Sequence, residues 1–146
     1  MIIVKNNKTE FKLNVEGYSY PFSREYWDSN WLSINIEIKD FQTSLFFDKN
    51  DNCLLTTELV NLREWFSNLK NNNFDETDEI HFMEPALSIK FKNNELEIVL
   101  RYKLNPKYEK DFDSEYSLFF VVNEKEIQGI IAELDRYIKK YPEKEI

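Results

Sequence analysis

The side chains that could do chemistry in this sequence are few and scattered. His81, in EIHFMEP, is the one histidine. It is the natural general base, because imidazole titrates near neutrality. No serine or cysteine motif stands beside it, and strand alternation places it opposite to Ile80 and Phe82, hence toward solvent. Cys53, in KNDNCLLTTEL, is the one thiol. Asp51 lies close in sequence and no basic neighbour lowers the pKa, so Cys53 reads as a buried inert thiol ahead of a helix. A single cysteine excludes an internal disulfide framework and a multi-cysteine zinc site. The run Lys49-Asn50-Asp51-Asn52 has the flavour of a calcium loop but lacks its glycine and distal glutamate, and it reads as a turn. Two glycines, Gly17 and Gly129, are too few for the loops that cradle phosphate. The residues therefore offer no catalytic motif, no metal motif and no glycine-rich phosphate loop.

Carboxylates are abundant, 27 in all, so a pair at a suggestive spacing carries little information. Glu84 is the distinctive one. In FMEPALSI it precedes Pro85, which holds it extended. A carboxylate between Phe82 and Leu87 should be partly buried and should need a donor, either backbone amides or Arg101 tying the incoming loop. Two acidic clusters fall in expected loops, each just ahead of a strand. They are Asp75, Glu76, Asp78 and Glu79, and then Glu109, Asp111, Asp113 and Glu115. The formal net charge is -8. Such a surface repels nucleic-acid phosphate and anionic lipid and suits a basic protein partner, although solvation alone also sustains it.

The elements that must position these groups are mostly strands. Apolar residues alternate with polar ones at Phe11–Val15, Leu32–Ile38, Phe41–Phe47, Leu87–Phe91, Leu96–Leu104 and Tyr116–Val122. Asn93-Asn94 suits the positive φ of a tight hairpin. One apolar and one polar face per strand marks an antiparallel sheet with one wet side. Two helices are expected. In TTELVNLREWFSNLKNNN, Thr56 can cap, Leu55 can staple to Val60, and Leu59, Leu62, Phe66 and Leu69 share a face with Trp65 beside them. In NEKEIQGIIAELDRYIKKYP, Asn123 and Glu126 form a capping box, and Ile127, Ile130, Ile131, Leu134 and Ile138 make the buried stripe. Strands, helix, strands, helix argue for an α+β fold in one domain over residues 1–146: a single antiparallel sheet of about six to eight strands with two helices covering one face. The N-terminal apolar run is too short for a signal peptide, and none approaches a membrane span of ~18 residues, so a cytoplasmic protein is expected.

Aromatics gather around a polar turn in EYWDSNWLSINIEI. Trp31 should start a strand and pack into the core, Asp28 and Asn30 should hydrogen-bond the turn backbone, and Trp27 should be the freer ring, an anchor of the kind that dominates interfaces. Four segments, residues 28–38, 54–66, 80–91 and 96–106, resemble the WapI-type immunity proteins of bacterial polymorphic toxin systems. The similarity is carried most by Asp28, Asn30 and Trp31, by the Leu59–Trp65 stretch, and by Glu84-Pro85. It departs at Tyr108, where the family leads one to expect a tryptophan near Pro106. The resemblance implies a non-enzymatic protein, without cofactor, that binds and neutralises a cognate toxin domain, often a nuclease. On that reading the matching segments are scaffold, and Trp27, Asp75, Glu76, Asp78, Glu79, Asp111, Asp113 and Glu115 are the candidates for contact with a basic partner, with a monomer favoured and neither nucleic acid nor membrane bound. The first alternative is a domain that binds a small molecule in a pocket between sheet and helix, lined by aromatics such as Phe46, Phe82 and Phe119. The last is a hydrolase, which would need convergent polar groups in a cleft where the sequence offers one histidine and no nucleophile motif.

Overall fold

The computed structural model describes residues 1–70, 78–108, 110 and 113–145. Its elements in chain order are β1 (Ile2–Lys5), β2 (Thr9–Tyr18), α1 (Tyr26–Asn30), β3 (Trp31–Asp40), β4 (Leu45–Leu55), α2 (Thr56–Lys70), β5 (Asp78–His81), β6 (Leu87–Lys92), β7 (Glu95–Leu100), a 3₁₀ turn (Tyr102–Leu104), β8 (Tyr116–Val121) and α3 (Glu124–Lys140). The class is α+β. The expected single sheet is corrected to two antiparallel sheets of four strands, in the orders β1-β2-β3-β4 and β5-β6-β7-β8. Each is a meander in which chain neighbours pair. The break falls where α2 separates β4 from β5, so no tight turn brings those two strands together. Alternation reports the buried face of a strand and says nothing about its neighbours, which is why the break was invisible in the sequence.

Both sheets and both long helices share one interior. Phe11, Leu13, Ile34 and Ile36 of the first sheet and Ile89, Leu96, Ile98 and Phe120 of the second belong to one apolar cluster, together with Leu59, Leu62 and Phe66 of α2 and Ile127, Ile130 and Leu134 of α3. Each such side chain contributes roughly 1.5–3 kcal/mol by leaving water. The capping box of α3 forms as expected, with Asn123 accepting from the Glu126 amide and Glu126 accepting in return. Tyr137 joins its buried stripe, while Ile138 is only partly buried. Asn93 and Asn94 both take positive φ, 53° and 64°, in the β6–β7 hairpin.

Several local expectations are overturned. Residues 41–44 are a turn, and β4 runs instead from Leu45 through Leu55, so the calcium-loop look-alike at 50–52 lies within a strand. Its asparagines are held from elsewhere in the chain: Asn50 accepts from the Asn35 amide at 2.6 Å and Asn52 from the Ser19 hydroxyl at 2.8 Å. The strand expected over residues 96–104 ends at Leu100, and Tyr102 takes φ 54° and opens the 3₁₀ turn. Leu55 is buried, whereas Val60, its expected staple partner, is exposed. β1 and β5, each four residues long, were too short to register as alternation.

Candidate partner-binding surface

The stretch that presents aromatics outward begins at a bulge. The β2–β3 register shifts between Val15 and Gly17, and Gly17 takes φ +155°, a backbone state other residues rarely adopt. The chain then leaves the sheet through a turn in which the Ser23 amide donates to the Tyr20 carbonyl at 3.1 Å. Pro21 and Phe22 occupy its middle, and Phe22 is 95% exposed. The Ser29 hydroxyl reaches back to the Ser23 carbonyl at 2.9 Å, closing the loop onto α1. On α1, Trp27 is 55% exposed and meets the Tyr26 ring edge-on, centroids 5.3 Å apart.

Asn30 holds this segment from beneath. It is only 1% exposed, yet every hydrogen-bonding site on its side chain is used. Its amide donates to the carbonyls of Tyr26 (2.8 Å) and Lys144 (3.0 Å). Its oxygen accepts from the Thr56 hydroxyl (2.9 Å) and the Lys144 amide (2.8 Å). One side chain thus joins α1, the first turn of α2 and the chain beyond α3. Residues 141–144 add further ties. The Tyr18 hydroxyl donates to the Pro142 carbonyl at 2.6 Å, the Tyr141 ring packs edge-on against Tyr18, and the Lys144 ammonium sits 4.0 Å over the Tyr18 ring. The Tyr26 hydroxyl donates to the Glu143 carboxylate, and that bond, with some desolvation, raises the Tyr26 pKa above its ordinary value.

The other residues singled out in the sequence are placed as follows. Asp28 is exposed, and the turn's hydrogen bonds run through Ser23, Ser29 and Asn30 instead. Trp31 starts β3, but its side chain is half-buried and Leu32 takes the core position: the tryptophan lies on the other parity of the strand. Trp65 is buried, edge-on to Phe66 at 5.1 Å, and its indole N–H has no partner among the described residues.

Glu84 and Pro85 are exposed, correcting the expected buried carboxylate. The carboxylate that ties this loop is Glu58, 8% exposed at the start of α2. One oxygen accepts the Leu55 amide at 2.9 Å and the other the Met83 amide at 2.8 Å. Arg101 does reach the loop, through the Pro85 carbonyl at 3.2 Å, and it also donates to buried Ser88 at 3.1 Å and to Glu115 at 2.9 Å.

Asp75, Glu76, Glu109 and Asp111 lie outside the described residues. Asp78 and Glu79 are in β5 rather than in a loop, both half-buried. Glu79 lies opposite Lys90 and within 3.1 Å of the exposed His81. Glu115 is engaged by Arg101, and Asp113 is exposed. Those of the expected acidic contacts that can be located are thus largely met by this chain's own donors. Cys53 is buried, and desolvation, reinforced by the carboxylates of Asp51, Glu58 and Glu84, pushes its pKa far up. That suppresses the nucleophilic thiolate.

The aromatic pocket of the alternative reading is not assembled: Phe46 and Phe119 are exposed, while Phe82 is in the core. A cleft of about 440 Å³ does exist elsewhere, lined by Phe47, Lys49, Lys103, Lys107, Tyr108 and Lys110. Nothing in the sequence pointed to it, because Lys49 and the other lysines are far apart in the chain. Among the described residues no group of three or more His, Cys, Asp or Glu could hold a metal ion, and no helix is long and apolar enough to cross a membrane.

Neither a curated protein nor a solved structure matches the chain. The model of the Immunity protein WapI-like family matches residues 1–142, almost the full length, and the chain belongs to that family.

Proposed function

We propose that this chain is a non-enzymatic immunity protein that binds and neutralises a cognate toxin domain of basic, nuclease type, acting as a monomer in the cytoplasm. Family membership supports the immunity role. The observation that carries the basic partner is the charge balance, 27 acidic against 19 basic residues. A nuclease must present cations to grip phosphate, and an anionic protein that complements that potential competes with the substrate directly. Neutralisation then needs only occlusion, with no reaction on either partner.

The test is stopped-flow association with the toxin domain encoded beside this gene. Between low and high salt the on-rate should fall by about tenfold or more, with the dissociation rate changing less. Absence of binding to any such domain, or an on-rate indifferent to salt, sinks the proposal.

A further inference from the structure

We infer that the segment from Tyr20 to Trp27 is the face that docks the toxin, its rings receiving arginine or lysine side chains of a cationic protein surface. This rests on the proposed immunity role and adds where the contact lies.

Three large aromatic residues, Tyr20, Phe22 and Trp27, stand exposed within eight consecutive positions, at 47%, 95% and 55%. Apolar rings so open to water mark a surface that is covered in use, particularly where several occur together. Their exposure does not come from a slack loop. The turn is closed by Ser23 and Ser29, and α1 is anchored below by Asn30 and by residues 142–144. A preorganised aromatic display loses little entropy on binding, which is the condition under which aromatic anchors dominate affinity.

Charge selects the partner. Residues 20–30 and 141–145 carry the carboxylates Glu25, Asp28, Glu143 and Glu145 against the cations Arg24 and Lys144. Lys144 is already committed to the Tyr18 ring and to the Pro21 carbonyl at 3.4 Å. These two stretches therefore carry net negative charge in sequence, four carboxylates against two cations, with the Lys140 ammonium beside them over the Tyr141 ring. Aromatic faces attract cations, and carboxylate neighbours strengthen that attraction, so a Lys- or Arg-bearing surface fits and an anionic one is repelled. Phe41, Phe46 and Phe119 are also exposed, at 53%, 67% and 49%, but no other eight-residue stretch among the described residues holds three such rings.

The experiment is a titration of the full chain with the adjacent-gene toxin domain, read by tryptophan fluorescence and by calorimetry. Trp27 should respond on binding, while half-buried Trp31 and buried Trp65 report on fold integrity. Phe22→Ala and Trp27→Ala should each weaken binding about tenfold or more, and the double variant about a hundredfold. Phe46→Ala and Phe119→Ala should stay within about twofold of wild type, as energetically neutral positions do. Unchanged thermal melts identify the losses as contact losses. Wild-type binding that the Phe22→Ala, Trp27→Ala double variant retains within about twofold overturns this face and leaves the immunity role standing. Failure of the wild-type chain to bind overturns the immunity role and this face with it.

Discussion

Asn30 and Arg101 each gather polar groups from distant parts of the chain, and they do so in opposite settings. Asn30 is sealed in, and its four bonds join two helices to the segment after α3. Arg101 sits at the end of β7 with a half-exposed partner, Glu115, whose side chain is 52% open to water. Outside the Asn30 knot the surface presents aromatic rings, whereas the Arg101 node presents its own ion pair with Glu115 to water. The contrast shows how the same chain spends polarity in two ways. Where polar bonds are buried they fix geometry and free the exterior for apolar display. Where they are exposed they neutralise charge that would otherwise be offered to a partner. The acids first singled out belong partly to the second kind.

The largest effect should come from the knot. Asn30→Ala leaves the buried Thr56 hydroxyl and the partly buried Lys144 backbone without their partner, and about 3 kcal/mol of stability should be lost in urea denaturation. A loss below about 1 kcal/mol would mean that water replaces the amide and that the two nodes differ less than their burial suggests. Glu58→Ala comes next. It orphans the Leu55 and Met83 amides and should cost about 2 kcal/mol, while Glu84→Ala should stay within about 0.5 kcal/mol in the same assay. If the two glutamates proved equivalent, the assignment of the loop tie to Glu58 would be wrong.

Cys53 sharpens the same comparison through pH. Its folded pKa is raised above the unfolded value, so its contribution is fully present below the ordinary thiol pKa of about 8.5 and is lost as pH rises beyond it. Urea midpoints of the wild type should therefore fall above about pH 9 more steeply than those of Cys53→Ala. At pH 8 a thiol reagent should react with the folded chain slower than with the unfolded chain by on the order of a hundredfold. The smallest effect is expected at the open node. Glu115→Gln should cost about 0.5 kcal/mol at low salt and less at high salt, read from the urea midpoint.

Much of the fold was legible because periodicity and capping act locally. The α3 capping box, the Asn93-Asn94 hairpin and the inward faces of β2, β3, β6 and β7 follow from residues within a few positions of one another. Glu84 misled because proline and flanking apolar residues suggest burial without revealing whether anything packs over the loop. Trp31 misled because a large ring was assigned to the core ahead of the parity that Leu32, Ile34 and Ile36 impose. The Asn50–Asn52 stretch looked like a turn because the groups that satisfy it, Asn35 across the β3–β4 pair and Ser19 just beyond β2, come from far along the chain.

By itself the sequence determined the class, the two amphipathic helices, the acidic balance and the family likeness, because each depends on composition or on short-range spacing. Tertiary structure alone decided that the strands divide into two sheets, that Asn30 binds the residues after α3 beneath an aromatic turn, and that Glu58 rather than Glu84 anchors the loop before β6. Those outcomes depend on which distant groups can exclude water together, and that selection is made only when the whole chain closes around its core.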